Sequence, residues 1–150
     1  MPITDICRRD VVTVHSEATV LEAARLMRQH HVGDVVVAMR KEDGSPTPVG
    51  IVTDRDLVVE VIATELDPAV ITVGDIMVSS LAVVNESNGV YETFQAMAEE
   101  GVRRMPVINK DGGLVGIVTL DDLLLLLGRE FDAIPHILAR EQTKEAERRH

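Results

Sequence analysis

Hydrophobic and polar residues follow a pattern along this chain whose period changes several times. Val11 to Val14 and Leu81 to Val84 are short apolar runs of the length expected for strands. After each run come apolar positions at helical spacing, a β-branched run, a turn rich in Gly and Asp, and a second apolar run. A further helix is predicted directly after Thr53 and after Thr119. The pattern therefore predicts the order β-α-β-β-α twice.

Local signals place the individual elements. Thr19 and Glu22 have the spacing of a capping box, which predicts the start of the first helix, and Gly89 is a tolerable cap for its counterpart. Asp43-Gly44 and residues 111–113 predict the two turns. The strands predicted on either side of these turns are 35–37 and 49–52, and then 107–108 and 114–118.

The two halves of the chain are copies of each other. A shift of 70 residues pairs Asp5 with Asp75, and a shift of 66 aligns VGIVTDRDL, from Val49, with VGIVTLDDL, from Val115. Seven of those nine positions are identical. The four-residue difference falls in the turn-rich segment before Val49, where we expect it to lengthen a surface hairpin loop at small cost.

One such unit has about 60 residues and would expose much of its apolar face, so two copies are expected to pair about a pseudo-twofold axis. The predicted fold class is α/β (α+β): two pseudo-symmetric β-α-β-β-α repeats packed sheet to sheet, plus a C-terminal helix. The predicted divisions are 1–67, 68–128 and a helical tail, 129–150. We expect Gly128 to interrupt the last helix and Pro135 to kink or restart it.

Composition and charge exclude several classes of function. The chain has 150 residues, 45% of them hydrophobic, which is normal for a globular protein. Its net charge of −10 and three aromatic residues argue against binding nucleic acid or an anionic membrane surface. The five-leucine run 123–127 is too short to span a bilayer. Cys7 has no disulfide partner and the N-terminus does not have the pattern of a signal peptide, so we expect a cytoplasmic protein.

The strongest candidate for chemistry is the doubled Gly-Ile-Val-Thr-x-x-Asp, which contains Thr53 with Asp56 and Thr119 with Asp122. It lies where a strand leads into a helix, and free N–H groups at a helix start suit anionic groups. Thr can bind a phosphate or ribose oxygen, and Asp can accept both ribose hydroxyls. The alternative is that Thr-x-x-Asp is only a capping box.

A second candidate is the adjacent pair Arg103-Arg104, at the entry to the middle strand of the second repeat. Guanidinium groups offer paired donors that can grip phosphate. The alternative is a surface salt bridge with the neighbouring Glu99 and Glu100.

Other residues give weaker signals. His30 and His31 point about 100° apart on a helix and are poor metal co-ligands, so they are expected to be exposed helix-end residues, and no metal site is predicted. Arg8 and Arg9 could depress the pKa of Cys7, but an ordinary thiol is the favoured interpretation. No motif combines a nucleophile with a base, so an enzyme is not predicted.

The combined pattern resembles a tandem pair of cystathionine β-synthase (CBS) domains, also called a Bateman module. The resemblance covers about Ile3 to Leu127 and includes Asp-Ile-Met at Asp75, its echo Asp-Ile-Cys at Asp5, and the segment from Val102 to Val107. It implies a non-enzymatic regulatory fold that binds adenosine-containing ligands between the repeats. The implied ligands are AMP, ADP, ATP or S-adenosylmethionine, with no cofactor required.

The resemblance also implies roles for particular residues. Asp56 and Asp122 would hold ribose hydroxyls, Thr53 and Thr119 would touch ribose or phosphate, and Arg103 or Arg104 would meet phosphate. Gly33 and Asp34 occupy the equivalent positions of the first repeat and cannot supply that cation.

At the level of assembly, the resemblance implies a homodimer in which two pairs form a flat disk. An apolar stripe from Phe131 to Leu138 could contribute to that contact. Because no enzyme or transporter is part of the chain, the output would pass to a separate, unidentified target protein. The alternative is a structural adaptor that keeps the fold and binds no ligand.

Overall fold

A computed structural model describes residues 1–149 as two three-stranded sheets, each with its own helices. The elements of the first half are β1 (Thr13–Val14), α1 (Val20–His30), β2 (Asp34–Arg40), β3 (Pro46–Thr53) and α2 (Asp54–Asp56), and a π-helix over Leu57–Ile62 continues α2. β2 is the central strand, parallel to β1 and antiparallel to β3. The predicted order β-α-β-β-α is confirmed for this half.

The second half repeats the architecture. Its elements are α3 (Val73–Ile76), β4 (Val84–Asn85), α4 (Val90–Glu100), β5 (Arg104–Ile108), β6 (Leu114–Thr119) and α5 (Leu120–Arg148). β5 is central, parallel to β4 and antiparallel to β6. Both central strands carry a register shift at the equivalent place, after Val37 and after Val107. The two sheets meet along β3 and β6, and the predicted fold class is confirmed.

The four extra residues of the first repeat do not lengthen its hairpin loop, as the sequence had led us to expect. Both loops have five residues, 41–45 and 109–113. β2 and β3 have seven and eight residues, whereas β5 and β6 have five and six, so each strand of the first hairpin gains two residues. Pairing of Met39 with Thr47 and of Arg40 with Pro46 continues the ladder through the insertion.

The C-terminal helix differs from its prediction. α5 is one helix over 29 residues, so the expected interruption at Gly128 and a restart at Pro135 are both wrong. Gly128 has no other residue within 4 Å of the place where a Cβ would stand, so no neighbouring element forces the chain to turn there. Pro135 lies in an exposed stretch, where water can satisfy the carbonyl group that loses its N–H partner. Within residues 1–149, no helix has the length and hydrophobicity needed to cross a membrane.

Each repeat buries the opening segment of the other. Ile3, in a short 3-10 turn, is fully buried in the core of the second repeat, and Cys7 packs against that core. In the same way Val73 is fully buried in the core of the first repeat, with Met77 against it. The two halves are therefore interlocked, because neither core is complete without a segment from the other half.

The glycines of the doubled motif allow the opening segment of each repeat to pack against the other repeat. A Cβ on Gly50 would stand 2.5 Å from the sulfur of Met77, and one on Gly116 would stand 2.8 Å from both the Cys7 sulfur and the Arg8 carbonyl oxygen. Backbone hydrogen bonds of 2.9 Å join Arg8 to Ile117 in both directions. The opening segment of each repeat therefore lies so close to β3 or β6 of the other that any side chain larger than hydrogen requires a neighbouring atom to move.

Candidate functional site

Both Thr-x-x-Asp motifs are capping boxes in the structure. The Asp56 amide donates to the Thr53 hydroxyl at 3.2 Å, and the Thr53 amide donates to Asp56 Oδ2 at 2.8 Å. Thr119 and Asp122 make the same two bonds, at 3.2 and 3.0 Å respectively, and the Thr119 hydroxyl also donates to Asp122 Oδ2 at 2.8 Å. Capping, one of the two interpretations of the sequence, is therefore a real role of these residues.

Capping leaves part of each aspartate free. Only Oδ2 of Asp56 and of Asp122 accepts a capping hydrogen bond, and Oδ1 of either residue accepts none from any other residue among 1–149. A carboxylate that caps a helix with one oxygen can accept a ligand hydroxyl with the other. Asp122 keeps 19% of its side chain exposed.

The helix starts offer fewer free amides than the sequence suggested. In the first repeat, the amides of Asp54, Arg55 and Asp56 all donate within the protein, the first of them to the Gly33 carbonyl at 3.0 Å. In the second repeat, Leu120 donates to the Arg103 carbonyl at 2.7 Å. The expectation of a cluster of free N–H groups for an anion is therefore wrong for the first motif and largely wrong for the second.

A cavity of about 770 Å³ lies where the two repeats meet, at the ends of β3 and β6. It brings together every site residue that the sequence singled out, from both halves of the chain. Those six residues are Thr53, Asp56, Arg103, Arg104, Thr119 and Asp122. A second cavity, of about 630 Å³, shares Arg8 and Val32 with the first and adds apolar side chains of Val11, Val12 and Leu26.

The arginines of this cavity are paired with aspartates. Arg104 forms an ion pair and hydrogen bond with Asp34 of the other repeat. Arg103 lies 3.6 Å from Asp121, and both of these side chains are more than two-thirds exposed. The alternative partners Glu99 and Glu100 are wrong, because Arg103 and Arg104 line the cavity and pair there with Asp121 and Asp34.

The lining as a whole has a slight excess of negative charge. Arg8 lies 3.7 Å from Asp122, which adds a third ion pair between arginine and aspartate. Four arginines and five aspartates line the cavity, so its formal charge is −1 with His31 neutral. Sequence reasoning missed Arg8, Asp54 and Asp121, and it did not foresee that Asp34 would pair with Arg104.

His30, His31 and Cys7 lie as the sequence predicted. His30 and His31 are exposed at the end of α1, and His31 adopts a left-handed conformation with φ 54°. Burial raises the pKa of the Cys7 thiol, although Arg9 nearby lowers it, so the ordinary-thiol interpretation agrees with the structure. Within residues 1–149, no three metal-ligating side chains come together.

Comparison with known proteins identifies the family. A family model of the CBS domain matches this chain twice, over residues 3–63 and 73–129. The chain therefore belongs to the CBS domain family and contains a tandem pair of these domains, as the sequence predicted. An uncharacterized protein of Methanopyrus kandleri is 37% identical over 122 residues, which cover 81% of this chain and 60% of the length of that relative.

Two solved structures share the fold and hold adenosine compounds. CBS domain protein PAE2072 from Pyrobaculum aerophilum, complexed with AMP, is 26% identical with a TM-score of 0.72, covering 86% of this chain and 99% of that one. The CBS domain pair of protein MJ0100, in complex with 5′-methylthioadenosine and S-adenosyl-L-methionine, is 25% identical with a TM-score of 0.74, covering 87% and 98%.

Proposed function

We propose that this chain is a non-enzymatic regulatory module that binds an adenosine-containing ligand in the cavity between its two repeats. The observation that carries the proposal is the convergence of Asp56 and Asp122 on that one cavity, each with a free carboxylate oxygen. A ribose offers two neighbouring hydroxyls as donors, and a carboxylate is the acceptor that suits them. The candidate ligands are AMP, ADP, ATP and S-adenosylmethionine.

The neighbouring cavity supplies an environment for the base. Val11, Val12 and Leu26 contribute apolar side chains to it, and Arg8 and Val32 line both cavities. The adenosine compounds bound by PAE2072 and MJ0100 support the same ligand class.

The output of the module is proposed to pass to a separate protein in the cytoplasm, from a homodimer of this chain. Seven large apolar side chains of α5 between Leu124 and Leu138 are exposed, and among them Phe131 is 67% and Ile134 51% exposed. Contiguous apolar surface on this scale marks interaction surfaces in most soluble proteins. Pairing of two copies through this stripe would cover it.

A structural adaptor that binds no ligand is the second candidate. Two observations favour it: capping explains both Thr-x-x-Asp motifs, and aspartates already satisfy Arg103 and Arg104. An adaptor needs the fold and the exposed stripe but not the free Oδ1 atoms.

Thermal unfolding of the purified, nucleotide-free protein separates the two candidates. A ligand at 100 times its Kd adds about 2.7 kcal/mol to the free energy of unfolding. For a chain of this size we expect a rise in Tm of roughly 5–10 °C with at least one of adenosine, AMP, ADP, ATP and S-adenosylmethionine. No shift with any of these compounds would exclude the ligand-binding proposal and leave the adaptor.

A further inference from the structure

Asp34 and Arg104 occupy the same place in the two repeats. They are 70 residues apart, which is the repeat shift, and they begin β2 and β5 respectively. Their side chains meet across the pseudo-twofold axis, inside the cavity, as an ion pair. One repeat thus supplies the cation of the pair, and the other supplies the anion.

This pair is the most deeply placed charge pair in the cavity. The side chains of Arg104 and Asp34 are 29% and 12% exposed, whereas those of Arg103 and Asp121 are 73% and 77% exposed. Water screens an exposed pair, and such a pair separates at little cost. A shielded pair is screened far less, and breaking it leaves a charge without a partner in a poorly solvated place.

We propose that Asp34 determines the charge of the ligand that the cavity accepts. Paired with Arg104, it neutralises the best-shielded cation available, so the cavity favours adenosine compounds whose 5′ substituent is neutral or cationic over those that carry phosphate. This inference rests on the proposed function, because it concerns the ligand of the same cavity.

The chemistry of a 5′-phosphate makes the selection a strong one. A phosphate monoester carries about −1.5 to −2 charges near pH 7. To reach Arg104, the phosphate must either displace the Asp34 carboxylate or lie against that carboxylate. Displacement leaves the carboxylate shielded and without a partner, and close approach places two negative groups side by side. A thioether or hydroxyl at the same position is uncharged, so it neither displaces the Asp34 carboxylate nor places a second negative charge beside it.

The other arginines of the cavity would compensate a phosphate less well than Arg104, because the side chains of Arg8 and Arg103 are 51% and 73% exposed and water screens their charge. The lining has a formal charge of −1, and the amides at the start of α2 already donate within the protein. Arg55 has no carboxylate within 4.0 Å among residues 1–149, but it is exposed at the rim, where water screens it.

The test is calorimetric titration of adenosine, 5′-methylthioadenosine and AMP into the wild type and Asp34→Asn. We expect the wild type to bind adenosine and 5′-methylthioadenosine at least as tightly as AMP. Because Asp34→Asn frees Arg104 for a charge-assisted bond, it should tighten AMP binding by about tenfold or more and change adenosine binding by less than about threefold.

Asp121→Asn is the matched control. It removes one negative charge from the same cavity and frees one arginine, Arg103, but at an exposed position. We expect its effect on AMP binding to stay below about threefold, because water screens that pair. The double variant Asp34→Asn/Arg104→Gln should lose the gain in AMP affinity, since the freed guanidinium is absent.

The outcomes separate this inference from the proposed function. If no adenosine compound binds to any variant, the proposed function itself fails. If adenosine binds but the wild type prefers AMP by tenfold or more, or if both Asn variants change AMP binding equally, Asp34 does not select the ligand. If Asp34→Asn does not fold, the relative affinity of the wild type for adenosine and AMP decides the question by itself.

Discussion

The carboxylate of Asp34 and the guanidinium of Arg104 form an ion pair between equivalent positions of the two repeats. The relationship joins the fold to the site, because the pair bridges the two halves and also lines the cavity between them. It shows that the two copies have diverged at the axis, with opposite charges at one and the same place.

Loss of Arg104 should reduce stability. Arg104→Ala leaves Asp34 with 12% of its side chain exposed and without its counter-ion, and we expect a loss of about 1–3 kcal/mol in urea denaturation. Arg103→Ala, the control at the exposed pair, should cost less than about 1 kcal/mol. Combining Arg104→Ala with Asp34→Asn should recover part of the loss, and a double variant no more stable than Arg104→Ala would contradict this role.

The two motif glycines should differ in their tolerance of alanine. A Cβ on Gly116 would meet backbone, the Arg8 carbonyl oxygen at 2.8 Å, as well as the Cys7 sulfur at the same distance, whereas the nearest atoms for Gly50 all belong to the flexible side chain of Met77. We expect Gly116→Ala to lower the free energy of unfolding by about 1–3 kcal/mol and Gly50→Ala by less. Equal losses in a denaturation experiment would show that the exchanged segments move as easily as a side chain.

The Cys7 thiol should react slowly in the folded protein. Burial raises its pKa, so less thiolate is present near pH 7.5 than in a free cysteine, and access is restricted as well. Alkylation by iodoacetamide should be roughly tenfold or more slower in the native protein than in urea. A native rate above the rate in urea would mean that Arg9 outweighs burial.

The apolar stripe of α5 should control association. Phe131 is 67% exposed, and we expect Phe131→Asp to shift the protein toward the monomer in sedimentation equilibrium. His136→Asp places the same charge on the opposite face of the same exposed helix and should leave the association unchanged. If both variants, or neither, change the mass, the stripe is not the contact.

Much of the fold could be predicted from the sequence because the two repeats carry the same pattern independently. The alternation of apolar runs and the Thr-x-x-acid spacing are local signals, and both correctly placed the strands and the caps. The predictions from Gly128 and Pro135 were wrong because a helix that extends into solvent tolerates both residues. The helix-breaking tendency of such a residue ends a helix only where the neighbouring structure also favours a break.

The structure brings the six candidate residues together, but the sequence did not predict how their charges pair. All six candidates line one cavity, yet the partners of Arg103 and Arg104 come from segments distant in sequence. One signal was available: residues near a pseudo-twofold axis face their own equivalents, so the 70-residue shift that aligns Asp34 with Arg104 also predicts that they meet. The exchange of opening segments has no comparable local signal.

The most direct test of ligand binding compares two aspartates that cap helices in the same way. Asp122 and Asp75 both complete a Thr-x-x-Asp box, with Thr119 and Thr72, but of the two only Asp122 lines the cavity. Each alanine variant should lose about 1 kcal/mol of stability with its cap. Titration of adenosine should give saturable binding to the wild type and to Asp75→Ala, and binding at least tenfold weaker to Asp122→Ala. Equal affinity in the two variants would mean that Asp122 only caps its helix and holds no ligand.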